Sequence, residues 1–163
     1  MHYEVFPAVE KDLEQIYRIT RLFDDDGDYS RGFLHEKILG GRVFVAKRHG
    51  TVAGYLLYQM MWGHIPFLAL INVLPEYQSQ GVGRSLLAAF EQHLRTQGFR
   101  EYVSSTEKGN TAGQRFHERN GFRVLGQLEI DASGDELFYA KRLTPQRMPR
   151  MAPPSTAKLP PVV

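Results

Sequence analysis

Seven residues in the middle of the chain, Gln78-Ser79-Gln80-Gly81-Val82-Gly83-Arg84, combine two closely spaced glycines with polar side chains and a cation. Ser85 follows, and then Leu86, Leu87, Phe90 and Leu94 recur at helical spacing. A turn leading into a helix in this way can bind an anion. Phosphate oxygens need several N–H donors aimed the same way, and the first turn of a helix supplies them together with the positive end of its dipole. Gly81 and Gly83 let the backbone approach the anion without a Cβ in the way, while Arg84 and Ser85 add a cation and a hydroxyl. A diphosphate suits such a loop. Two common phosphate patterns do not fit: a P-loop needs Lys and then Ser or Thr after its second glycine, where Arg84 stands. A dinucleotide fingerprint needs a third glycine at 86, where Leu86 stands.

Other reactive residues are sparse. The chain has no cysteine, which excludes disulfides, thiolate catalysis and cysteine-based metal sites. Its six histidines, at 2, 35, 49, 64, 93 and 117, form no close pair of the zinc-binding kind, so no metal is expected. An acidic run, Asp24-Asp25-Asp26-Gly27-Asp28, either draws in a cationic ligand or is a solvated loop that caps helix ends. Formal charge is only +2, and Arg147, Arg150 and Lys158 near the C-terminus account for more than all of it. That balance carries no nucleic-acid footprint.

The elements that must position these residues are legible from periodicity. With 163 residues, 42% of them hydrophobic, the chain fits one globular domain with a real core. Tyr3 to Phe6 alternates as a strand, and Leu13, Ile16, Tyr17, Thr20 and Phe23 predict a helix over Glu10 to Phe23. Ser30 caps a second helix that stops at Gly40-Gly41. Arg42 to Lys47 and Val52 to Met60 form a hairpin around His49-Gly50. After a Gly63 to Pro66 turn, Phe67 to Val73 is an apolar run expected to be buried on both faces at the sheet centre.

The helix beginning at Gly83 ends at Gly98, and Tyr102 to Thr106 makes the next strand. Asn110 to Arg119 forms a helix, and Phe122 to Ile130 pairs with Glu136 to Leu143. The order β-α-α-β-β-β-α-β-α-β-β predicts an α+β domain of three layers (α/β/α) around a mixed sheet of about seven strands. Residues 144–163 hold six of the nine prolines and read as a disordered extension, so the domain is expected to span 1–143. No membrane segment or secretory signal is apparent, which points to the cytoplasm.

Gln78-x-x-Gly81-x-Gly83 after Pro75-Glu76-Tyr77, with Asn110-Thr111-Ala112 opening a helix that ends in Phe116-His117-Glu118-Arg119-Asn120-Gly121-Phe122, resembles the GCN5-related N-acetyltransferase (GNAT) superfamily. The resemblance covers about residues 3 to 143. It implies a GNAT acyl-CoA N-acyltransferase fold with a splay between strands 4 and 5, and acetyl-CoA as cosubstrate. The diphosphate would lie on Gln78, Ser79, Gln80, Gly81, Val82, Gly83, Arg84 and Ser85. Backbone groups of Ile71 and Val73 would pair with the pantetheine arm, the Val73 N–H would polarise the acetyl carbonyl, and Asn110 would contact the arm.

Where many members carry a tyrosine that protonates the departing thiolate, this chain has His117, whose imidazole can also deliver a proton near neutral pH. Structurally, His117 could equally be a partly buried helix residue paired to a carbonyl. In the subfamily that acetylates ribosomal-protein N-termini a glutamate stands five residues before the helix-opening Asn; here that position is Ser105, and Glu107 and His64 are the nearest candidates for a base. The function implied is acetyl transfer to a primary amine by direct attack in a ternary complex. The acceptor is an amine, cationic if the acidic run is used, and a homodimer through the final hairpin is compatible. The competing reading is a non-catalytic acyl-CoA-binding module.

Overall fold

The computed structural model describes residues 2–130 and 134–145. β1 (Glu4–Pro7) is followed by a short 3-10 turn and by α1 (Leu13–Arg21), then α2 (Arg31–Leu39). The Ser30 hydroxyl accepts from the Phe33 N–H and so starts α2. Next come β2 (Val43–Arg48), β3 (Thr51–Met61) and β4 (Ile65–Val73). α3 (Val82–Thr96), β5 (Glu101–Glu107), α4 (Thr111–Arg119), β6 (Arg123–Ile130) and β7 (Gly134–Arg142) complete the chain. The proline-rich segment beyond residue 145 and residues 131–133, between the last two strands, lie outside the described residues.

The seven strands form one sheet in the order β1-β2-β3-β4-β5-β7-β6, with every neighbouring pair antiparallel except β4 and β5. Alternation along the strands sends side chains to two cores. Phe44, Leu56, Tyr58 and Tyr102 pack against Leu86, Leu87, Phe90 and Leu94 of α3 on one face. Val43, Val45, Tyr55 and Leu57 pack against Ile16, Ile19, Leu34 and Ile38 of α1 and α2 on the other.

The parallel junction is the sheet's weak seam. β4 and β5 pair only at Phe67↔Val103 and Leu68↔Ser104, although each strand runs on further. β5 follows β7 without interruption from Glu101↔Arg142 to Glu107↔Glu136, while β4 follows β3 out to Val73↔Gly54. A register shift between Leu57 and Tyr58 leaves Ala69 as an extra residue on β4, immediately past the last β5 pair. Such a bulge bends its strand and increases its twist, which is how β4 leaves β5. The apolar run Phe67–Val73 is accordingly central but only half-buried beyond Leu68, because one of its edges borders an opening instead of a strand. Pro66, placed in the preceding turn by the sequence reading, belongs to β4 and pairs with Met60; the turn itself is Trp62 to His64.

Candidate active site

Past Leu68 the separated strands enclose a cleft of about 550 Å³ that reaches from Ser104 and His117 at its closed end to Gln78, Ser79 and Gly83 at its mouth. Ladder geometry fixes which backbone groups face it. The Leu74 N–H donates to Ala53 O at 2.9 Å, so Leu74 is in a hydrogen-bonded pair with β3. In an antiparallel ladder these pairs alternate. Asn72 and Leu70 therefore spend their backbone groups on β3, and the N–H and C=O of Val73 and Ile71 point into the gap. The Val73 carbonyl already accepts from the Gln78 side-chain amide at 3.1 Å. Gln78 thus ties the turn to the strand.

At the mouth, Ser79 (φ 59°) and Gly81 (φ 85°) both adopt left-handed backbone, which curls the turn into a concavity of amides. Gly81 is the N-cap of α3 and offers no side chain to satisfy the helix's first donors. The first bond of the helix runs from Ser85 N to Gly81 O at 3.0 Å, so the amides of Val82, Gly83 and Arg84 lie outside helical pairing. The turn is held from behind: the Gln80 side-chain amide donates to Glu76 O at 2.7 Å, and the Tyr3 hydroxyl donates to Gln80 Oε1 at 2.8 Å. Gln80 is thereby a brace, while Arg84 is exposed.

At the closed end, β5 sends Ser104 and Thr106 toward α4 and Ser105 toward the α1–α2 face. Thr106 packs against Gly113, whose missing Cβ would lie only 2.3 Å from Thr106 Oγ1. That close approach seats α4 directly on β5, and Asn110 fixes its start by accepting from the Gly113 N–H at 2.9 Å. One turn on, His117 is 4% exposed and stacks on Tyr139 at 4.2 Å between ring centroids. Its Nδ1 lies 2.7 Å from Gly113 O, and its Nε2 lies 2.8 Å from Ser104 Oγ, which is also 3.1 Å from Leu68 O.

Proton counting gives this chain two states. A carbonyl opposite Nδ1 requires a proton there. If the ring is neutral, the Ser104 hydroxyl donates to Nε2; if it is charged, Nε2–H donates to Ser104, which donates to Leu68 O. Burial pushes the His117 pKa below the ordinary histidine range, and the Gly113 carbonyl opposes that push. The neutral ring is therefore favoured at neutral pH. His117 is thus both a carbonyl-paired helix residue and a cleft-lining group.

Of the candidate bases, His64 sits exposed in the β3–β4 turn, its Nδ1 2.9 Å from Trp62 O, and is absent from the cleft lining. Glu107 ends β5, exposed and likewise outside the lining. Sequence reasoning missed Glu136 of β7, which is outside the lining itself but whose Oε1 accepts at 2.7 Å from the hydroxyl of Ser105, a lining residue. Only the cross-strand register, Glu107↔Glu136, could have exposed it.

On the α1–α2 face the acidic run divides. Asp24 is buried and organises the loop by accepting from the N–H groups of Asp28 and Tyr29, each at 3.0 Å, whereas Asp25, Asp26 and Asp28 are exposed. Phe23 extends from this loop to line the cleft. Behind it, buried Tyr55 bonds Thr20 and the cleft residue Asn72, and burial raises its pKa to about 12. Among the described residues no group of three His, Cys, Asp or Glu side chains could hold a metal, and no helix is long and apolar enough to cross a membrane.

The chain has relatives among known proteins. Residues 6–122 match the Acetyltransferase (GNAT) family. The chain belongs to that family. It is 33% identical over 78 residues to an aminoglycoside N(6')-acetyltransferase type 1 of Salmonella typhimurium, covering 48% of each protein. It is also 33% identical over 99 residues to an N-alpha-acetyltransferase of Sulfolobus acidocaldarius, covering 53% of this chain and 59% of that one. The chain thus spans about half the length of the curated relatives it matches. A GNAT-family acetyltransferase structure from Bacillus cereus superposes with a TM-score of 0.75 at 27% identity, covering 88% of this chain and 99% of the other. The GNAT fold, with its mixed seven-stranded sheet and β4–β5 splay, is therefore the fold of this chain.

Proposed function

We propose that this GNAT protein transfers the acetyl group of acetyl-CoA to a primary amine by direct attack in a ternary complex. One observation carries the reading: the β4–β5 ladder stops after two pairs and opens into a cleft whose mouth is the amide-rich start of α3. The diphosphate takes the amides of Val82, Gly83 and Arg84, with Ser79, Ser85 and the Arg84 side chain beside them. The pantetheine arm lies along β4 as a substitute strand, pairing with Val73 and Ile71, with Asn110 alongside. The thioester must then lie deeper than the arm. The sequence reading put the acetyl carbonyl at Val73, but Ile71 is one outward-facing amide nearer the closed end at Leu68. We therefore give the polarising amide to Ile71 and leave Val73 to the arm.

The chain's residues then divide the proton work. On the α4 side, the His117–Ser104 pair supplies a proton to the sulfur as the C–S bond breaks. On the opposite face, Asp25, Asp26 and Asp28 favour a cationic acceptor, and Glu107, paired across the ladder with Glu136, adds negative charge. The exposed apolar residues Val124, Leu125 and Leu128 on β6, the outer strand, are where a second copy would pair. The two relatives acetylate an aminoglycoside and N-alpha amines by name; small amines and peptide N-termini are both acceptors to test.

The test is calorimetric titration with acetyl-CoA followed by an acceptor screen for free thiol. Saturable binding with amine-dependent thiol release is expected. Binding without release for every amine would leave an acyl-CoA-binding module, and no binding would remove the reading.

A further inference from the structure

We infer that Glu136 is the general base, receiving a proton from the acceptor amine on the α1–α2 face of the cleft; the inference rests on the acetyltransferase reading above. Ser105 is the first β5 residue past the last β4–β5 pair, so its side chain stands where the two strands part. It lines the cleft on the face opposite Ser104 and His117, and its hydroxyl holds Glu136 Oε1 at 2.7 Å. A hydroxyl donated to one oxygen orients the carboxylate and leaves the other free to accept.

The surroundings suit an ammonium. Glu107 faces Glu136 directly across the β5–β7 ladder, and on β6 the partner is Leu128. From the α1–α2 loop comes Tyr29. Burial, then the charges of Asp28, Asp24 and Glu136, raise its phenol pKa, so each of these carboxylates is within electrostatic reach of the Tyr29 hydroxyl. A neutral phenol amid carboxylates is a hydrogen-bond partner, and although Arg21 lies 4.0 Å from Asp24, the surplus of carboxylates here favours a cation. Glu136 is half-buried, whereas Glu107 is exposed.

The chemistry balances. The ammonium gives one proton to Glu136, and the freed lone pair forms the C–N bond to the acetyl carbon. The C–S bond breaks with its electrons on sulfur, which takes a proton from the His117–Ser104 pair in its charged form, leaving the pair neutral. The amide nitrogen loses its second proton, which restores that pair through water, and Glu136 returns its own to solvent. Overall an ammonium and a thioester give an amide, a thiol and one released proton. Acid and base stand on opposite faces of the sheet, one on the α4 side and one on the side the acceptor approaches.

The experiment compares wild type with Glu136→Gln, using acetyl-CoA and whichever alkylamine of the screen turns over. At pH 7 an alkylamine is almost wholly protonated, and the variant should lose about 100-fold or more in kcat/KM. The deficit should shrink as pH rises toward the amine's own pKa, because solvent then supplies the neutral amine. Acetyl-CoA affinity should be unchanged by titration, which shows that the fold and the cofactor end are intact. Ser105→Glu in the Glu136→Gln background should recover at least tenfold. Unchanged kcat/KM, or a loss of equal size at every pH, would overturn the inference while leaving the acetyltransferase reading in place. Failure of the wild type to release thiol with any amine would overturn both.

Discussion

Replacing Gly113 by alanine tests how α4 and its histidine are held. A methyl group there would lie 2.3 Å from Thr106 Oγ1 and 2.9 Å from Asn110 Nδ2. The first contact is about 1 Å short of an ordinary carbon–oxygen separation. Asn110 is exposed and can swing aside, whereas Thr106 is buried on a paired strand. Overpacking of this kind costs about 1–3 kcal/mol, but alanine gains up to about 1 kcal/mol over glycine in a helix. The single variant therefore combines two opposing effects. A double-mutant cycle separates them, since Thr106→Ala removes the colliding oxygen and leaves the propensity gain. Gly113→Ala should destabilise the wild type, yet be neutral or stabilising in the Thr106→Ala background, with a coupling of about 1–3 kcal/mol. At this chain length that is roughly 2–12 °C in Tm, measured by thermal unfolding followed by circular dichroism. Because Gly113 O is the acceptor for His117, thiol-release turnover should fall in the single variant and recover in the double. A coupling below about 0.5 kcal/mol would refute the close α4–β5 contact.

Gly83→Glu should abolish acetyl-CoA binding without lowering Tm, since a Cβ there meets only Phe116 and Ile71 at 3.6 and 3.9 Å while the carboxylate repels the diphosphate; calorimetry and melting check both halves. His117→Phe should lower turnover with little change in acetyl-CoA affinity. Because burial depresses the His117 pKa in the folded state, the unfolded chain binds that proton more readily, so wild-type stability should decline as pH falls below about 6.5 and level off below the folded pKa. The Phe variant should lose that part of the decline and keep the part from His93, which burial and Arg42 also depress; melts from pH 7.5 to 5 decide it. Asp24→Ala should destabilise the protein by about 1–3 kcal/mol by stripping two N–H groups of their acceptor. Asp25→Asn with Asp26→Asn should leave stability within about 0.5 kcal/mol and raise KM for a cationic acceptor; an unchanged KM with a lysine-like amine would leave the run as a solvated loop.

Elements with a strong local signal were legible in the sequence: the Ser30 cap, the apolar stripe of α3 and the His49-Gly50 hairpin all stand where periodicity and turn chemistry put them. So was the glycine turn opening α3, where the diphosphate is proposed to sit, because its glycines and the helix start are contiguous in the chain. What local pattern could not give was anything created by pairing between distant strands. The half-burial of β4 follows from β5 departing after Leu68, and Glu136 meets the cleft residue Ser105 only through the β5–β7 register. Asp24 looked like its neighbours in the acidic run, yet backbone amides four and five residues on set it apart. His117 was identified, but its coupling to Ser104 required knowing that α4 seats on β5 at Gly113.

The central claim is that the splayed β4–β5 cleft and the turn before α3 bring acetyl-CoA and an amine together for transfer. The most direct test is the rate of free-thiol appearance from acetyl-CoA across an amine panel, for wild type and Gly83→Glu side by side. Amine-dependent release by the wild type, lost in a variant that still folds, is the predicted result. Release that persists in Gly83→Glu, or none from the wild type with any amine, would contradict it.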